Sequence, residues 1–132
     1  MRRRAAALII RDKKLLMVTD DGSWWWTPGG RPEGSETYEE ALARELREEL
    51  RIQPTFYRPY HTYRYWAEYS GKLPPHGGEE ASFLVEFDGK LTPDNVEINQ
   101  VKWCDRTELQ DMIMLSSIKE EILTRLVRDD LI

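Results

Sequence analysis

Cysteine is nearly absent from this chain: Cys104 is the only one in 132 residues. No intramolecular disulfide can form, and a zinc site built on cysteine thiolates is excluded. Long apolar runs are missing as well. Ala5 to Ile10 is the only such run near the N-terminus, and "RDKK" follows it at once. It is too short for a signal peptide and far too short to span a bilayer, so no membrane association is expected and the cytoplasm is the default compartment. Basic charge is not in excess, with 19 Lys and Arg against 24 Asp and Glu and a formal net charge of −5. Proteins that coat nucleic acid polymers carry a basic face, so that class is disfavoured. Arg2, Arg3 and Arg4 are the one local exception, and they read as the solvated start of a strand rather than a phosphate contact. Low-complexity segments, internal repeats and linkers are absent too, and the length suits one domain over residues 1–132.

Tryptophan, by contrast, is plentiful, and "GSWWWTPGG" at 22–30 sets Trp24, Trp25 and Trp26 side by side. Consecutive strand residues point to opposite faces, so one core cannot take all three indoles unless the backbone is irregular there. Upstream, "AAALII" and "LLMVT" joined by "RDKK" read as a hairpin. Residues 37–50, "TYEEALARELREEL", form the clearest helix: Thr37 with Glu40 matches a capping box, and the body is Ala, Leu, Glu and Arg. "HTYRYWAEYS" alternates, with His61, Tyr63, Tyr65, Ala67 and Tyr69 on one face. "GKLPPHGGEE" reads as a turn-rich loop before the strand "ASFLVEF", and "VEINQVKWC" as a further strand. "SSIKEEILTRLVRDDLI" closes the chain as an amphipathic helix, with Ile118, Ile122, Leu126 and Val127 on one stripe. Strands dominate and two helices are available to cover a sheet, which is an α+β or mixed α/β layer architecture.

The chemistry sits on the first helix. Glu45, Glu48 and Glu49 fall within about 100° of arc on one side, at the edge of the buried stripe of Leu42, Leu46 and Leu50. Like charges at i,i+4 destabilise a helix by a few tenths of a kcal/mol each, and by more when partly desolvated. A divalent cation removes that objection, since Mg²⁺ prefers carboxylate and water oxygens and bridges protein to phosphate. Taken alone, the helix reads more readily as a solvated face laced with Glu–Arg pairs.

The preceding loop decides between these. From Gly30 the chain runs five residues to Glu36, then seven to Arg44-Glu45-Leu46, one to Glu48-Glu49, and one past Arg51 to Ile52. This resembles the Nudix box, G-x5-E-x7-R-E-U-x-E-E-x-G-U with U a bulky aliphatic, at eight of nine fixed positions over 23 residues. The resemblance implies a Nudix fold, a mixed β-sheet sandwiched between α-helices. It implies Glu45, Glu48 and Glu49 as catalytic residues and Mg²⁺ ligands, one of them assisting the attacking water, with Mn²⁺ able to substitute. It also implies the Gly30 carbonyl as a metal ligand and Glu36 with Arg44 as a salt bridge fixing the loop on the helix. Arg51 stands where the family has Gly, just past the helix, where positive φ is common. Ser35 also replaces a frequent Gly.

The activity so implied is Mg²⁺-dependent hydrolysis of a phosphoanhydride bond in a small nucleoside diphosphate linked to another moiety: a triphosphate, nucleotide sugar, ADP-ribose or dinucleoside polyphosphate. A small nucleotide is then the partner, and the chain is a monomer or homodimer. The alternative is a catalytically silent Nudix-like module that senses a nucleotide or binds a protein. Glu79, Glu80 and Glu97 are candidates for a further carboxylate from outside the box, each read first as a surface residue. His76, in "PPHGGEE", could lid a site, but exposure is the preferred reading. By resemblance Trp25 anchors the box loop, which sends Trp24 and Trp26 to the substrate side. Tyr63, Tyr65 and Glu80 are further substrate candidates, with sheet packing favoured for the tyrosines.

Overall fold

The computed structural model of the chain describes residues 1–67 and 74–132. Asp12 and Lys13 both take positive φ, 51° and 62°, as a type I′ hairpin turn requires. They fold strand β2 (Ile10–Arg11) onto β3 (Lys14–Thr19). The expected hairpin is thus present, but its first arm is short. The residues before it form β1 (Arg2–Leu8), which belongs to a different sheet.

In that sheet β1 lies between β4 (Gly29–Gly30) and β6 (His76–Asp88), and β6 in turn pairs with β5 (Gln53–Ala67). The β1–β6 pair is parallel and the other two are antiparallel, so the sheet is mixed. A second sheet, wholly antiparallel, orders β2, β3 and β7 (Gln100–Cys104).

Helix α1 (Tyr38–Leu50) starts where its sequence says it should. The Glu40 N–H donates to the Thr37 hydroxyl at 3.1 Å and the Thr37 N–H to the Glu40 carboxylate at 3.0 Å, completing the capping box. Leu42, Leu46 and Leu50 enter a core with Ala5, Ala7 and Phe83 on one face of the four-stranded sheet. The other face packs on the C-terminal segment, where Leu8, Leu15 and Met17 meet Ile118, Ile122 and Leu126. Alternation along the strands feeds both cores, and the sheet ends up sandwiched between helices as expected.

Three expectations are corrected. The segment His76–Glu80 is not loop but the start of β6, hydrogen bonded to β1 and β5 on its two sides. Glycines at 77 and 78 disguised it as a turn, although a glycine in a strand also marks a close approach of neighbours. Tyr69 and residues 71–73 lie outside the described residues. The strand expected at 96–104 is confined to Gln100–Cys104, because the Asp94 carboxylate accepts from the N–H groups of Val96, Glu97 and Ile98 and holds them in a turn. In the closing helix, Ile118–Leu123 is wound as a π-helix before α3 (Thr124–Arg128), with a short α2 (Arg106–Asp111) preceding both. The wider winding rotates the apolar stripe, so Leu123 is buried and Val127 is left 39% exposed.

Arg51 takes the left-handed conformation at the end of α1, with φ 57° and ψ 35°. Its N–H still donates to Arg47 and that of Ile52 to Leu46, so the exit geometry of the helix is kept without glycine. A side chain there is strained by about 1 kcal/mol. Arg51→Gly is therefore expected to raise stability by up to about 1 kcal/mol, read as a higher midpoint in urea with an unchanged m-value.

Candidate active site

The loop from Gly30 is held on α1 by one guanidinium. Arg44 donates to both oxygens of Glu36, at 2.9 and 3.0 Å, and also to the Glu45 carboxylate at 2.8 Å and the Arg31 carbonyl at 3.0 Å. Such a fork is geometrically specific as well as strong. The contact holds Glu36 below the usual carboxylate range. At the start of the same loop, a methyl group on Gly30 would collide with the Glu45 side chain, and one on Gly29 with the backbone of Ala5. Only glycine lets this strip of backbone lie so close to both.

Of the three box carboxylates on the helix, Glu45 and Glu49 come together, and the third member of their cluster is Glu97. Carboxylate oxygens of these three lie within 4.8 Å of one another. Glu97 reaches them because the segment after β6 is tied to the end of α1: the Thr92 N–H donates to the Leu50 carbonyl and the Asp94 N–H to the Glu49 carbonyl. The Asp94 turn then sets Glu97 over the helix. Glu48 stands apart, with its side chain 61% exposed and one oxygen 3.5 Å from Arg44.

Glu49 is only 6% exposed, and its Oε2 is buried with no hydrogen-bond partner. Burial pushes its carboxyl up to about 9, the Glu45 and Glu97 carboxylates add to the rise, and Arg4 opposes it. Three converging carboxylates with an orphaned buried oxygen fit a hard divalent cation such as Mg²⁺, whose charge would offset their repulsion.

Arg31, the residue after Gly30, borders a cavity of about 320 Å³. One wall is the sheet. Register sets Arg4 opposite Glu80 and Glu80 opposite Tyr63, in a single row across β1, β6 and β5. Arg4 donates to Glu80 Oε1 at 2.7 Å and Tyr63 donates to Oε2 at 2.6 Å. Arg4 also donates to the Thr27 carbonyl, which couples the cavity wall to the box loop. Burial raises the Tyr63 phenol far above its ordinary value, and the Glu80 charge raises it further. The facing wall carries all three tryptophans.

Their backbone is irregular. Trp26 makes an isolated bridge with Val18, and the Trp25 N–H donates to the Ile113 carbonyl at 2.8 Å. Strict alternation therefore does not apply, and Trp25 both packs on the C-terminal core and borders the cavity, alongside Trp24 and Trp26. Glu79 points the other way and accepts from Tyr38 at 2.7 Å. His61 pairs with Glu121, and His76 edges onto Tyr65. Arg4 is the residue that sequence reasoning missed. It reads as a solvated arginine in a basic run, and only the β1–β6 register reveals its buried partner.

The site thus combines an acidic, cation-ready cluster with an aromatic cavity, on a sheet sandwiched between helices. The chain belongs to the Nudix hydrolase family, whose NUDIX domain matches residues 1–126. Among solved structures, the ORF135 protein of E. coli is 26% identical with a TM-score of 0.74, over 96% of this chain and 90% of that one. A Nudix hydrolase family member from Chromobacterium violaceum is 23% identical with a TM-score of 0.75, over 97% and 77%. A MutT structure described for Aliivibrio salmonicida and Vibrio cholerae is 20% identical with a TM-score of 0.73, over 96% and 99%. No curated protein matches the chain. Among the described residues, no helix is long and apolar enough to cross a membrane.

The raised Glu49 carboxyl has a consequence for stability. Its folded state binds a proton that the unfolded chain releases near the ordinary glutamate value of about 4.5. The native state therefore holds more protons above that pH, and stability falls as pH rises from about 4.5 toward 9. In EDTA, Glu49→Gln is expected to stabilise the protein by about 1–3 kcal/mol near pH 8 and to flatten this slope. Adding Mg²⁺ is expected to raise the melting temperature of the wild type and not of the variant.

Proposed function

We propose that this chain is a Mg²⁺-dependent hydrolase that cleaves a phosphoanhydride bond in a small nucleoside diphosphate linked to another moiety. The observation that carries the reading is the junction at Gly30 and Arg31. Gly30 abuts Glu45 of the acidic cluster, while Arg31, the next residue, borders the aromatic cavity. A substrate with a ring at one end and phosphates at the other spans that junction.

In this reading Glu45, Glu49 and Glu97, with the Gly30 carbonyl, hold the cation, which when bound neutralises phosphate charge and lowers the pKa of water. Glu48, one helical turn from Glu45 and open to solvent, accepts the proton of the attacking water. Arg44 and Glu36 keep the box loop at the helix, so the ligands stay in place. Trp26 and Trp24 supply stacking faces for the base, and Tyr63 and Glu80 form the floor beneath it. Mn²⁺, another oxygen-seeking divalent ion, serves in place of Mg²⁺.

The test is a panel of nucleoside triphosphates, nucleotide sugars, ADP-ribose and dinucleoside polyphosphates with Mg²⁺, with product identification. Glu49→Gln and Glu97→Gln are each expected to lower kcat by roughly 100-fold or more while the protein stays folded. Turnover of no substrate, or variants that match the wild type, would overturn the proposal. Trp26→Ala is expected to raise KM several-fold with little change in kcat, as loss of uniform substrate binding does. A folding defect at unchanged KM would make Trp26 a core residue instead.

A further inference from the structure

The cavity has a polarity that the proposed hydrolysis does not explain. Its innermost ionisable group is Glu80, 5% exposed and fixed from two sides. Each oxygen receives one hydrogen bond, from Arg4 or from Tyr63. A carboxylate offers about four acceptor sites, so each oxygen keeps capacity for one more donor. The Tyr63 proton goes to Glu80, and the Arg4 guanidinium is shared between Glu80 and Thr27. At the Glu80 carboxylate itself, the floor of the cavity therefore presents lone pairs to whatever enters.

Away from Glu80 the cavity lining is of mixed charge: Arg2 and Arg31 border it together with Asp20 and Asp21. Arg31 also follows Gly30, on the side of the acidic cluster. The sheet wall beside Glu80 is aromatic. A methyl group on Gly78 would strike the Tyr65 ring, so Tyr65 lies directly over that glycine, with its ring 6.2 Å from that of Tyr63 and tilted 54° to it. Between this wall and the tryptophans, a planar ring enters with its phosphates turned out to the arginines and the cation site, and its far edge turned in to Glu80.

We propose that this cavity selects nucleobases bearing an exocyclic amino group, with Glu80 accepting a hydrogen bond from that group. An oxo group in the same place sets a lone pair against the carboxylate, and a buried acceptor facing another acceptor loses its water without gaining a bond. Sites built around such a bond reject analogues that lack it strongly. The inference rests on the nucleotide reading above but not on turnover.

Its test needs neither metal nor catalysis. Binding of nucleoside monophosphates is followed in EDTA by quenching of tryptophan fluorescence, comparing CMP with UMP, AMP with IMP, and GMP with IMP. For whichever ring size binds, the amino member is expected to bind at least about tenfold more tightly than its oxo or amine-deleted counterpart. Glu80→Gln, an amide that donates as well as accepts, is expected to shrink that ratio to about threefold or less while Trp26 still senses the ring. Equal binding within every pair, or a ratio that survives in a folded Glu80→Gln protein, would overturn the proposal and leave the hydrolase reading standing. Quenching by no nucleotide at all would overturn the base preference, and the hydrolase reading would then stand or fall on turnover with Mg²⁺. If the amide variant does not fold, the wild-type pairs alone still decide the preference.

Discussion

Parallel pairing of β1 with β6 sets Arg4 beside Glu80, and most of the site depends on that register. On its other edge β1 pairs with Gly29 and Gly30, which delivers the box loop to Glu45. On the far side of β6, the same alignment brings Tyr63 to Glu80. One strand thus joins the acidic cluster to the floor of the cavity. The side chain that makes the join is Arg4, bonded to Glu80 in the cavity and to Thr27 in the loop, and close enough to Glu49 to favour its ionised form. A slip of one residue would turn Arg4 to the opposite face and dissolve both halves.

The cluster and the cavity are built on opposite electrostatic principles. Around Glu49 the protein gathers acids, buries one, and leaves an oxygen without a partner. That arrangement is unfavourable by itself and becomes favourable only when a cation arrives. Around Glu80 the protein does the reverse, supplying a cation and a phenol so that the buried acid is already compensated. Buried carboxylates persist when paired, and they change state when unpaired. The first arrangement suits a site that must bind and release an ion. The second suits a rigid surface that must read a shape.

Much of α1 was legible from its residues. The Thr37–Glu40 box, the leucine stripe and the carboxylates beside it are local, and local spacing on a helix translates directly into geometry. The Glu36–Arg44 contact was legible only through the resemblance to the Nudix box, and the structure makes it. The strands were less transparent. His76 to Glu80 carried two glycines and read as a turn, whereas the glycines serve the packing of Tyr65 across the sheet. Trp25 was assigned to packing and Trp24 and Trp26 to the substrate side by alternation, but the 24–26 backbone follows no regular strand and all three border one cavity. Val127 fell off the apolar stripe because π-winding begins at Ile118, which no residue in that segment announces.

The amino-acid sequence by itself determined the helix, its caps, the order of acids along it and the glycines that admit a close backbone. Each of these follows from interactions within a few residues or across one short loop. Only the tertiary structure decided which acids meet. It drew Glu97 onto Glu45 and Glu49 through the Asp94 turn and the carbonyls at the end of α1, and left Glu48 facing solvent. It also turned one arginine of a basic N-terminal run into a half-buried partner for Glu80, across 76 residues of chain. The physical reason is the same in both cases. Strand register and loop anchoring are set by the packing of whole faces, and a contact made that way leaves no trace in local spacing.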